Sequence, residues 1–199
     1  MLFRSVMDIP ETLQQDFSGA PLRRDSLDPD PLKQFESWFK QALESDYCAP
    51  NAVSLATSSS NGEPSVRTVL VKQFDTEGFV FYTNYNSTKA TQIEQTASVS
   101  LLFPWVELGR QVIISGPANK ISREASARYF HSRSRGSQLS AWSSQQSCPV
   151  DSRRELEDAL QEIERRFSSD AVPLPQFWGG YRVHVLTYEF WQSQPDRLH

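Results

Sequence analysis

Apolar and polar positions follow two different periods along the chain. Leu32, Phe35, Phe39, Ala42 and Leu43 recur at helical spacing behind Asp30 and Pro31, which suit the N-cap and first helical position, so the pattern predicts a helix from Pro31 to about Asp46. The period then shortens. "AVSLATS" (52–58), "SVRTVLVKQF" (65–74) and "FVFYTN" (79–84) are β-rich runs separated by the turns "SNGEP" and "DTEG", and they read as an antiparallel meander. "SVSLLFPW" (98–105) and "RQVIISGPAN" (110–119) predict two more strands, and "YRVHVLTYEFW" (181–191) a sixth or seventh. Short helices are expected from Ser87 and from Ser122, and a longer one over 153–167. There Ser152 and Glu155 are spaced as a capping box, and Leu156, Ala159, Leu160, Ile163 and Phe167 form one apolar stripe opposite a solvated Arg/Glu face. The predicted class is mainly β with flanking helices (α+β), a barrel or sandwich.

Composition adds bounds. A chain of 199 residues, 38% hydrophobic and 22% charged, reads as one globular domain over 1–199, able to bury roughly 70% of its unfolded surface. A net charge of -4 and a pI near 5.4 argue against nucleic-acid binding, which needs a basic domain. Cys48 and Cys148 have neither CxxC spacing nor a nearby His pair, so no disulfide framework and no metal are expected. The start carries no apolar stretch of signal-peptide length and no run is long enough to span a bilayer, which predicts a soluble protein in the reducing cytoplasm.

Against this acidic background "RYFHSRSRGSQ" (128–138) stands out. Arg128, His131, Arg133 and Arg135 lie among the hydroxyls of Tyr129, Ser132, Ser134 and Ser137, with no Asp or Glu from Ala125 to Val150. Such a cluster suits a small anionic ligand. Arg67 and Lys72 interrupt an apolar strand five positions apart, which sets them on opposite faces unless a bulge or strand end redirects one; the alternative is two surface charges on an edge strand. "YTNYNSTKA" (82–90) runs from a strand into a helix whose N-terminal amides, hydroxyls and Lys89 suit a phosphate. Gln111 and "QQS" (145–147) offer amides for the edge of a heteroaromatic ring, and Trp178 or Trp191 could stack on such a ring or fill the core. No Ser-His-Asp order, Walker loop or dinucleotide fingerprint is present.

"RTVLVK" (67–72), "FYTNYNSTKA" (81–90), "VSLLFPW" (99–105), "RQV" (110–112), "YFHSRSRGSQ" (129–138), "PLPQFWGGYRV" (173–183), "EFWQ" (189–192) and "RLH" (197–199) occur in one order along almost the whole chain. Together they resemble the pyridoxine (pyridoxamine) 5'-phosphate oxidase family. The resemblance implies a split β-barrel that binds FMN at the interface of a homodimer, residues of both subunits completing each site. It places FMN on Arg67, Lys72, Tyr82, Thr83, Lys89, Gln111, Gln146, Ser147 and Trp191. It places the substrate phosphate on Lys72, Tyr129, Arg133 and Ser137, and the pyridine ring at Arg197 and His199, the expected catalytic pair. The implied reaction oxidises pyridoxine or pyridoxamine 5'-phosphate to pyridoxal 5'-phosphate with O2 as acceptor and H2O2 as product. Arg128 and Arg135 match no ligand role.

Three departures from the family pattern accompany the match. Thr88 stands where the family usually has an arginine; Gln14 and Phe17, in an N-terminal arm expected to be flexible over 1–29, stand where Arg and Tyr often close over the substrate. The family also continues past "RLH" into another strand, so Arg197 and His199 are expected to be held loosely, FMN to bind somewhat weakly and turnover to be slow. The alternatives are a protein that binds FMN or pyridoxal phosphate without turnover, and another flavin oxidoreductase of the same barrel class.

Overall fold

The computed structural model describes residues 21–194; Gln14, Phe17, Arg197 and His199 lie outside them. The first helix, α1 (Pro31–Glu44), begins as its sequence predicts, with the Asp30 side chain accepting from the Leu32 amide and Pro31 at the first position. Its buried face runs through Phe35, Trp38 and Ala42, whereas Leu43, expected in the stripe, is 59% exposed. Trp38 closes the i, i+3, i+7 row that Leu43 would leave. Phe35 is fully buried among the rings of Phe39, Phe74, Phe79, Phe103 and Trp105, with centroids 4.9 to 5.8 Å away.

Strands β1 (Ala52–Ser58), β2 (Pro64–Asp75) and β3 (Gly78–Asn84) form the expected meander. In β4 (Ser98–Trp105) and β5 (Arg110–Lys120) alternate residues turn inward: Val99, Leu101, Phe103 and Trp105 from one, Val112, Ile114 and Ala118 from the other. The single strand expected over 181–191 is two, β6 (Trp178–Val183) and β7 (Thr187–Gln192). β6 pairs with β3 and with Ala118–Lys120 of β5, while β7 pairs with Arg110–Ser115 of β5. Between them the chain crosses directly over Gly116, where a Cβ would lie 1.9 Å from the His184 carbonyl oxygen. The crossing keeps its backbone bonded, His184 N–H to the Pro117 carbonyl and Leu186 N–H to that of Ser115. Because β4 also pairs with β5, the order β4-β1-β2-β3-β6-β5 closes on itself, and β7 extends β5 beyond the ring. The result is a closed six-stranded antiparallel barrel, the split-barrel fold that the resemblance implies, with α1 against its core.

The remaining helices, α2 (Thr88–Thr96), α3 (Arg123–Ser132), α4 (Arg135–Ser143) and α5 (Arg153–Phe167), flank the barrel. Phe130, Leu139, Phe167, Val172 and Trp178 form a second apolar cluster, packed by Leu160 and Ile163. Leu156, counted in the sequence stripe, is exposed. The helix from Ser122 ends at Arg133, whose backbone turns extended, and Ser134 restarts it by accepting from the Ser137 amide. The capping box of α5 is displaced by one residue. Ser152 Oγ accepts from Glu155 N–H at 3.3 Å, and the Glu155 carboxylate accepts from Asp151 N–H at 3.1 Å. Phe167 is the one buried residue of α5, with Leu160 and Ile163 partly buried beside it. Ser152→Ala is expected to lower unfolding free energy by about 1 kcal/mol in urea titration; no loss would show that the Glu155 contact suffices. Among the described residues no helix is long and apolar enough to cross a membrane.

Candidate functional site

A cavity of about 890 Å³ opens between β2, β3, the start of α2, the α3–α4 corner and the loop before α5. Its lining includes Arg67 and Lys72 together. The β2–β3 register passes from Val71↔Phe81 to Gln73↔Val80, so Lys72 sits unpaired in a bulge, and the cavity takes residues of both parities from β2, Arg67 and Val69 with Thr68, Leu70 and Lys72.

Arg67 and Lys89 are held by neutral hydrogen-bond partners. Arg67 Nη1 donates to the Leu55 carbonyl (3.0 Å) and to Thr57 Oγ1 (2.6 Å), and burial lowers its pKa without threatening its charge. Lys89 is 6% exposed, donating to Gln146 Oε1 (2.9 Å) and Thr83 Oγ1 (3.3 Å). Burial, with a smaller push from Arg67, brings its pKa down to about 8. Ser147, in the left-handed region at φ 71°, accepts from the Thr88 amide at 3.3 Å, which ties the loop to the first turn of α2. Arg133 lies with its guanidinium carbon 4.8 Å from the Trp178 ring centre and 5.8 Å from that of Phe130. Its Nη1 is buried without a hydrogen-bond partner, and burial lowers its pKa. Among the described residues none of Arg67, Lys72, Lys89 and Arg133 makes an ion pair.

Aromatic rings form one wall. Tyr82 stacks on Tyr129 at 3.9 Å and on Trp178 at 5.5 Å, and burial raises the pKa of both tyrosines, so each remains a protonated donor at neutral pH. Ser137, at the start of α4, also faces the cavity.

The structure divides the arginine cluster. Arg133 lines the cavity, Arg128 is exposed on α3, and Arg135 donates to the carbonyls of Ser168 and Asp170, just beyond the C-terminal end of α5. Gln111 and Trp191 are not part of the lining; they face each other across the β5–β7 pairing. Sequence reasoning passed over Thr57 and Gln92, which contact Arg67, and Ser65, which accepts from Gln92. A glutamine inside a helix reads as surface polarity, and only the long-range contacts reveal that Gln92 is buried.

A closed antiparallel barrel with flanking helices, carrying a cavity of unneutralised cations against an aromatic wall, defines a split-barrel protein whose cavity suits an anionic ligand. The chain belongs to the pyridoxamine 5'-phosphate oxidase family. The model of that description matches residues 39–167, and one described as the pyridoxine 5'-phosphate oxidase C-terminal dimerisation region matches residues 178–199. Pyridoxine/pyridoxamine 5'-phosphate oxidase of Rippkaea orientalis is 56% identical over 97% of this chain and 91% of its own length. The protein of the same name from Crocosphaera subtropica is 54% identical over 94% and 87%. Among solved structures, PhzG from Burkholderia lata, in complex with tetrahydrophenazine-1-carboxylic acid, superposes with TM-score 0.84 at 29% identity, covering 92% of this chain and 91% of that one. An FMN-binding protein from Nostoc punctiforme shares the fold at TM-score 0.65 and 17% identity, over 86% and 88% of the two chains.

Proposed function

We propose that the chain forms pyridoxal 5'-phosphate by oxidising pyridoxine or pyridoxamine 5'-phosphate, as a homodimer that binds FMN in this cavity. The donor set fits the cofactor. A phosphate monoester carries nearly two negative charges and three strong acceptors at neutral pH, and Arg67, Lys89, the first amides of α2 and the hydroxyls of Thr83 and Ser147 are its complement. Arg67, Lys72, Tyr82, Thr83, Lys89, Gln146 and Ser147 would hold FMN from one chain. Gln111 and Trp191 would come from the second copy, a reading supported by the match of 178–199 to a dimerisation region. When bound, FMN would supply the two-electron redox chemistry, as acceptor of a hydride equivalent from the C4' carbon with O2 as final oxidant giving H2O2, and with the amine substrate water would hydrolyse the resulting imine to release ammonia.

The protein's part is orientation and charge. Lys72, Tyr129, Arg133 and Ser137 would bind the substrate phosphate, and Arg197 and His199 would orient the pyridine ring and manage its protons. Arg133 carries the reading: a guanidinium nitrogen buried with no partner costs free energy unless a ligand oxygen completes it. The exposed thiols of Cys48 and Cys148 suit a reducing cytoplasm. The purified protein is expected to be yellow, and pyridoxine 5'-phosphate to bleach it without oxygen. A colourless protein whose melting temperature FMN does not move would end the proposal.

A further inference from the structure

We infer that Gln92 and Thr57 are positioning residues, a neutral clamp that aims Arg67 at the flavin phosphate; the inference rests on the FMN reading above. Both are deeply buried, at 7% and 4% exposure, and touch no other cation of the cavity. The direction of every bond in the clamp follows from its first link. Gln92 Nε2 donates to Ser65 Oγ at 3.0 Å, which turns Oε1 toward Thr57 and Arg67. Thr57 donates its one hydroxyl proton to that oxygen at 2.5 Å, so toward Arg67 it can only accept, and Arg67 Nη1 approaches it at 2.6 Å. Arg67 Nη2 reaches the same Gln92 oxygen at 3.5 Å.

The clamp therefore takes both Nη1 protons, one with the Leu55 carbonyl and one with Thr57, and leans on Nη2. Nε–H and one Nη2–H have no hydrogen-bond partner among the described residues, and these two form the edge that meets a phosphate in parallel. A carboxylate in place of Gln92 would hold Arg67 more tightly and defeat the purpose, because it would neutralise the charge that the ligand has to meet. An amide fixes the guanidinium and leaves its full charge for the phosphate.

The test compares FMN with riboflavin, which lacks the phosphate, by fluorescence titration of flavin-free protein. Gln92→Glu is expected to weaken FMN on the order of ten- to a hundredfold and to leave riboflavin unchanged. Its melting temperature without flavin should be no lower, since the new carboxylate pairs with Arg67. Thr57→Val should weaken FMN selectively and Thr57→Ser restore it, which keeps the test alive if Gln92→Glu folds poorly. Equal loss of both flavins, or loss of neither, would make the clamp ordinary packing and overturn the inference. Failure of the FMN reading itself would look different, because the unaltered chain would then bind neither flavin.

Discussion

Arg133→Met is expected to weaken pyridoxine 5'-phosphate binding on the order of ten- to a hundredfold while FMN stays bound. The magnitude follows from a charge-assisted contact worth roughly 1.5 to 3 kcal/mol, at 1.4 kcal/mol per tenfold. The same change should not destabilise the fold. A linear apolar side chain can keep the packing against Trp178 and Phe130, and it removes a charge whose Nη1 is buried without a partner. The variant should therefore melt no lower than its parent in the absence of substrate. Stopped-flow measurement of flavin bleaching against substrate concentration gives the affinity, and the absorbance of the purified protein gives the flavin content. Loss of FMN with unchanged substrate affinity would assign Arg133 to the cofactor instead. A lower melting temperature would mean that the guanidinium is structural.

What was legible in the chain was what local patterning controls. The start of α1, the inward alternation of β4 and β5 and the cap of α5 all follow from residues within a turn or a strand of one another. The break between β6 and β7 does not, because its cause is Gly116, far earlier in the chain, whose bare backbone lets residue 184 cross it. The helical corner at Arg133 is local, but a serine that ends one helix by capping the next looks like any polar residue until the second helix is seen. In the site, the spacing of Arg67 and Lys72 posed the question of a bulge, and the register answers it. Charge and spacing alone do not separate Arg128, Arg133 and Arg135, and only the family resemblance set Arg133 apart; tertiary contacts give the three different surroundings. Gln111 and Trp191 sit apart from the cavity in one chain, where a site completed by two copies would leave them.

Lys89 is expected to make FMN affinity depend on pH in a range where the phosphate does not titrate. With its second pKa near 6, the phosphate is almost fully dianionic above pH 7, whereas Lys89 in the flavin-free protein loses its proton around a pKa of about 8. Burial and the Arg67 charge both disfavour the ammonium, and a bound dianion favours it, so binding above pH 8 draws a proton onto Lys89. If only the charged form binds tightly, the apparent Kd for FMN should rise about tenfold between pH 7 and pH 9. The effect on the empty fold has the opposite sign. The unfolded lysine holds its proton up to about 10.4, so from pH 8 upward the unfolded chain binds more protons than the folded one, and this residue's contribution to stability grows with pH. Weaker cofactor binding and a firmer flavin-free fold over the same interval distinguish Lys89 from general alkaline unfolding, which would weaken both. Lys89→Arg, whose charge persists, should flatten the dependence of Kd on pH, and Lys89→Met should flatten it at a weaker level throughout. A slope that survives both substitutions would place the titrating group elsewhere in the cavity and remove Lys89 from the phosphate.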